Sequence, residues 1–199
     1  MSRTSPGRIR RAMAEETQSG PQIVVAFQNY TPPFEAEKAV RRMLRYVPSK
    51  FLRGLHAIVL TNADALSHKE RKRKTWGRRR VLLGEALGYY GREWRGEPAR
   101  ITILVDNLER RWGRRWLRVG FIRDMQLSEV LFHELGHHIH RVHRPEYEGR
   151  ENVADKWSKR LTRKFMSGRY WYLLPLAAPL ALIVGLGQDI RKLYRRIRR

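Results

Sequence analysis

Apolar residues come as short dense runs early in the chain and at helical spacing later. Residues 23–27, within "PQIVVAFQNY", form a compact β-branched run of the kind a buried strand needs. "LHAIVLTN" repeats the pattern, "ARITILVDN" is its clearest instance, and "EALGYY" offers a further short strand. Between the first two runs, "TPPFEAEKAVRRMLRYVP" changes period. Pro33 suits a first helical turn, and Phe34, Val40, Met43, Leu44 and Val47 fall on one side. "SHKERKRKTWGRRR" reads as a basic loop, and "LERRWGRRWLRVGFIRD" as an irregular connection, with room for a hairpin.

Helical spacing then takes over. A long helix is expected over residues 125–142, with Leu127, Val130, Leu131, Leu135 and Ile139 on its core side. A second helix is expected over 150–165. The turn between them, 141–150, contains the breakers Pro145 and Gly149. Strands first and helices afterwards predict an α+β fold, a small mixed sheet packed on two helices.

The ends differ from this middle. Residues 1–20 lack an apolar core segment, so they read as a basic disordered tail and not as a secretory signal. The folded domain is expected over 21–168, followed by an apolar segment and basic tail over 169–199. Residues 170–188 carry no charge, and a helix of about 20 residues spans a bilayer. Tyr170, Trp171 and Tyr172 suit a membrane interface, and basic clusters flank both ends. Pro175 and Pro179 weaken a straight helix. A spanning helix, an in-plane membrane anchor and a segment packed on the domain all stay open.

Composition changes the picture in two ways. The 199 residues include 42 Lys and Arg against 19 Asp and Glu, a formal net charge of +23. Such a chain is drawn to polyanions, either nucleic-acid phosphates or anionic lipid headgroups. The chain has no cysteine, which excludes disulfides, thiolate nucleophiles and cysteine-based zinc sites. It fits a cytoplasmic or membrane-associated protein.

The chemistry concentrates in "LFHELGHHIHRVHRPEYEGRENVAD". His133 and His137 are four apart, so on a helix both imidazoles face one way. Two rings so placed can bind Zn²⁺ at about 2.0–2.1 Å. Glu134 is offset by one residue and suits a general base acting on a zinc-activated water. Gly136 costs helix stability, about 1 kcal/mol relative to alanine, which points to close approach of another backbone.

A catalytic zinc needs a third protein ligand, and two candidates compete. His143 would complete H-E-x-x-H-x-x-G-x-x-H, except that His140 stands where the pattern has glycine. That glycine turns the chain out of the helix, a conformation histidine seldom adopts. Glu151 is the stronger candidate. Asp155, four residues on, would then accept a hydrogen bond from the outer nitrogen of a ligand histidine. Ala154 leaves room for close helix packing, and Glu148 is a weaker choice. His138 and His140 read as surface or supporting residues.

"HELGHHIH" followed by "ENVAD" resembles the gluzincin zinc metallopeptidases, above all their small single-domain ImmA/IrrE-like group. The resemblance covers residues 83–161. It implies a zincin-like fold, zinc held by His133, His137 and Glu151, Glu134 as base, and peptide bonds as substrate. It also implies that the strand before the active-site helix, residues 101–105, lies along the cleft and pairs with extended substrate. An oxyanion-stabilising group would come from Tyr147, His140 or His143.

The arginine- and tryptophan-rich segments fit anionic membrane better than nucleic acid, for which no fold motif is visible. The rival to the peptidase is a non-catalytic basic protein binding nucleic acid or anionic lipid, with a structural zinc site or none.

Overall fold

A computed structural model describes residues 20–75, 80–93, 96–143 and 151–173. The strands are β1 (Gln22–Ala26), β2 (Ala57–Thr61), β3 (Gly88–Gly91) and β4 (Arg100–Leu104). The helices are α1 (Ala36–Leu44), α2 (His68–Arg71), α3 (Val105–Trp112), α4 (Arg114–Arg118), α5 (Gly120–His143) and α6 (Glu151–Tyr170). The fold is α+β, with a four-stranded mixed sheet in the order β1-β2-β4-β3. β1, β2 and β4 are parallel, and β3 runs antiparallel to β4 at the sheet's margin.

The strands form where β-branched residues meet across the ladder. Ile58 lies beside Ile101 and Leu60 beside Ile103, and all four side chains are fully buried. α1 makes the crossover that parallel neighbours β1 and β2 require. Its Ala39, Val40 and Met43 are fully buried, at three- and four-residue steps. α5 packs against β3, β4 and α1. Leu127, Val130, Leu131, Leu135 and Ile139 are all buried, as the spacing predicts. On α6, Phe165 meets Phe132 and Tyr46 edge-on, with centroids 6.4 and 5.3 Å away.

Three expectations are corrected. Residues 108–124 are not an irregular connection or a hairpin, and 105–107 do not continue the strand. α3 starts directly where β4 ends, with Val105 and Leu108 buried at a helical step. Gly113, at φ +85°, breaks the chain between α3 and α4, and Leu117 anchors α4 from below. α5 starts at Gly120 rather than 125. Just past its first turn lies the buried Asp124, paired with Arg123 Nε at 2.8 Å and with Arg42 at 4.0 Å. The basic loop opens on a capped turn: Ser67 and Glu70 form a reciprocal capping box at the start of α2.

One compact unit ends at Phe165 and another begins at Met166. Within the second, the end of α6 leads into a 3-10 turn, Trp171–Leu173. The expected tail over 1–20 lies outside the described residues but for Gly20. So does most of the apolar segment, from 174 onward. Among the described residues no helix is long and apolar enough to cross a membrane.

Candidate metal centre

α5 and α6 approach one another closely because of a single glycine. A Cβ placed on Gly136 would lie 2.9 Å from the Cα and 3.0 Å from the carbonyl oxygen of Ala154. The missing side chain brings the first turn of α6 against the middle of α5. Ser158 strengthens the contact, its hydroxyl donating to the Glu129 carbonyl at 2.9 Å.

This contact places Glu151 over His133 and His137. The three residues form a group able to hold a metal ion. His133 Nε2 lies 3.2 Å from His137 Nε2 and 3.3 Å from Glu151 Oε2, and His137 Nε2 lies 3.7 Å from the same oxygen. Asp155 Oδ1 lies 3.0 Å from His133 Nδ1. A carboxylate only accepts, so His133 donates its Nδ1 hydrogen there and turns the Nε2 lone pair toward the cluster. That lone pair faces a carboxylate oxygen at hydrogen-bond range. A cation resolves this pair of facing acceptors, with His137 Nε2 within reach as a third ligand. Bonds of about 2.0–2.1 Å in tetrahedral geometry place ligand atoms roughly 3.4 Å apart, the spacing seen here. The ligand side chains are between 18% and 33% exposed, so the centre opens to solvent.

Glu134 is nearly buried. Burial, reinforced by the neighbouring Glu151 carboxylate, pushes its carboxyl up to about 7, against the pull of His133 and a hydrogen bond from the Tyr90 backbone N–H. Burial is also the main cause that brings His137 down to about 4, with His133 and His140 adding to it. The His137 ring is therefore neutral near pH 7, the form a metal requires.

The Tyr90 contact comes from β3, which lies beside α5 because Gly88 has no side chain. A Cβ there would meet Val130 Cγ1 at 2.9 Å and the Thr102 carbonyl at 3.1 Å. The strand bordering the site is thus β3 and not, as expected, residues 101–105. β4 is hydrogen-bonded on both sides, to β2 and β3, and has no edge to offer.

The remaining histidines separate cleanly. His143 does not join the cluster. α5 continues straight through His140 without the turn a third histidine ligand requires. His143 is carried round to accompany Lys50, its Nε2 lying 3.1 Å from the Lys50 carbonyl, and lines a cavity of ≈ 270 Å³ with Phe51 and Trp157. His138 and His140 are buried, not superficial, at 1% and 4% exposure. His138 links three elements: Nε2 donates to the Arg53 carbonyl at 2.9 Å, and Nδ1 lies 3.2 Å from the Tyr90 hydroxyl. Tyr90 therefore contacts α5 twice, a role that only its place in "GYY" hinted at. Tyr147 and Glu148 lie outside the described residues.

Searches against protein-family models and curated proteins find no match to this chain.

Proposed function

We propose that the protein is a zinc-dependent metallopeptidase of zincin-like build. His133, His137 and Glu151 hold the metal, and Asp155 orients His133. The observation that carries this is the convergence of Nε2, Nε2 and Oε2 beside a buried carboxyl, that of Glu134. Two imidazoles and one carboxylate suit Zn²⁺ among the divalent ions. The donor count also favours catalysis over a structural role. A structural site closes with four protein ligands, and three gather here among the described residues.

Zn²⁺ bound there supplies a Lewis acid that polarises a carbonyl and makes water acidic near neutral pH. Glu134 takes the proton from the attacking water and delivers it to the leaving amine. Burial raises the basicity of its carboxyl, which suits a group that takes a proton from water. The Tyr90 N–H fixes the carboxyl relative to the sheet. Peptide as substrate class is supported by β3, an outer strand beside the centre along which an extended chain can add.

Glu134→Gln separates binding from chemistry. The variant should retain one metal per chain by elemental analysis and lose hydrolysis of a peptide library by at least ~100-fold, the low end of general-base contributions. Hydrolysis at the wild-type rate would remove Glu134 from the role.

A further inference from the structure

The corner formed by α4 and the start of α5 pairs exposed apolar side chains with unneutralised arginines. Trp116 is 58% exposed, Val119 46% and Phe121 42%, all within six residues of chain. Leu117 points the other way and is buried, so α4 is anchored through one residue and presents the rest outward. Arg115 and Arg118 are exposed, and no carboxylate pairs with either among the described residues. Arg114, by contrast, is bound to Glu109 at 3.0 Å and to the Thr31 carbonyl at 3.3 Å.

We propose that this corner seats the folded domain on an anionic lipid bilayer, with Trp116 and Val119 entering the headgroup boundary and Arg115 and Arg118 on lipid phosphates. Charge complementarity selects an anionic partner, and the aliphatic component selects lipid. Tryptophan favours the membrane–water interface, and arginine near an anionic surface is attracted to it. A nucleic-acid surface would use arginine and the indole ring, but offers no apolar layer for Val119. The site is distinct from the metal centre. Phe121 precedes His133 by twelve residues on α5, about 18 Å along the axis at 1.5 Å per residue.

The test is co-sedimentation of the full chain with phosphatidylcholine vesicles, with and without phosphatidylglycerol. Three double variants are compared with wild type: Arg115→Glu with Arg118→Glu, Trp116→Ser with Val119→Ser, and Lys69→Glu with Lys72→Glu. The last makes the same charge change on α2 and the residue that follows it. The arginine pair should lower partitioning into anionic vesicles by about tenfold or more, from roughly fivefold per basic residue at the surface. The Trp–Val pair should lower it by about fivefold or more, with thermal melting unchanged in both because the side chains are exposed. An equal loss in the lysine pair would show that total charge governs binding, and would overturn the proposal. So would wild-type partitioning in the Trp–Val pair. A loss of duplex DNA affinity in that pair, with vesicle binding intact, would assign the corner to nucleic acid instead.

Discussion

Two regions of this molecule gather polar side chains, and only one of them has the makings of a metal centre. Just beyond the carboxyl ends of β1, β2 and β4 lie Asn62, Asp106 and Asn107. Asn62 accepts from the Gln28 N–H and donates to the Gln28 carbonyl, each at 2.9 Å. Both Asp106 oxygens lie 3.1 Å from the Ala63 N–H. The Asn107 amide nitrogen donates to the carbonyls of Gly84 and Ala86. The carboxyl ends of parallel strands are where many α/β proteins bind ligands, but here nearly all the donors and acceptors satisfy one another, the buried Asn107 Oδ1 being the exception. Between α5 and α6 the situation reverses. His133 Nε2 and Glu151 Oε2 face one another as two acceptors at 3.3 Å, and a cation shared with His137 satisfies both. Complementarity within a polar cluster indicates structure; its absence, at ligand spacing, indicates a site.

The contrast breaks most readily at Glu151. Glu151→Ala should abolish stoichiometric zinc binding in elemental analysis, a larger effect than the ~10–100-fold loss usual for removing an outer partner of a ligand. His143→Ala should retain the metal, because its ring lies against the Lys50 carbonyl. Metal lost in His143→Ala and kept in Glu151→Ala would reverse the assignment. Next in size is Gly136→Ala. Alanine improves helix propensity by about 1 kcal/mol, but the new methyl meets backbone atoms of Ala154, which cannot rotate away. Overpacking of this kind costs about 1–3 kcal/mol or more, so the melting temperature should fall despite the better helix former. Zinc affinity should fall too, since Glu151 sits one turn from the contact. A rise in melting temperature with unchanged affinity would mean that the helices do not depend on that glycine.

The helix pair was legible because three signals coincide there: apolar spacing from Leu127 to Ile139, the H-E-x-x-H pattern, and a small residue on each helix. Even the glycine's cost pointed to a close backbone. The strands were legible from their β-branched density. The order of the strands was not, because pairing between β2 and β4 joins residues some forty positions apart and leaves no local trace. That is why the margin of the site was assigned to residues 101–105 and not to β3. Helices α3 and α4 were missed for another reason. Val105, Leu108 and Leu117 are the only fully buried apolar anchors in residues 105–118, which also carry five arginines (110, 111, 114, 115 and 118). The third ligand stayed open between His143 and Glu151 because it depends on whether the chain turns at His140, a matter of tertiary packing around a residue with no strong preference. Burial of His138 was equally illegible, since histidine suits surface and interior alike and its partners, Arg53 and Tyr90, are distant in sequence.

The smallest effect tests the closed cluster. Asn62→Ala removes two hydrogen bonds to Gln28 while leaving the helix pair untouched. At about 0.5–1.5 kcal/mol for each bond, stability should drop by roughly 1–3 kcal/mol in denaturant unfolding. Zinc content and affinity should not change. The cost arises because the Gln28 N–H and carbonyl lose the side chain that bridges β1 to β2, and Asn62 itself is only 2% exposed, so water replaces it poorly. If Asn62→Ala instead left stability intact and weakened metal binding, the strand ends would be coupled to the site. The distinction between a polar cluster that closes on itself and one that awaits a cation would then fail for this fold.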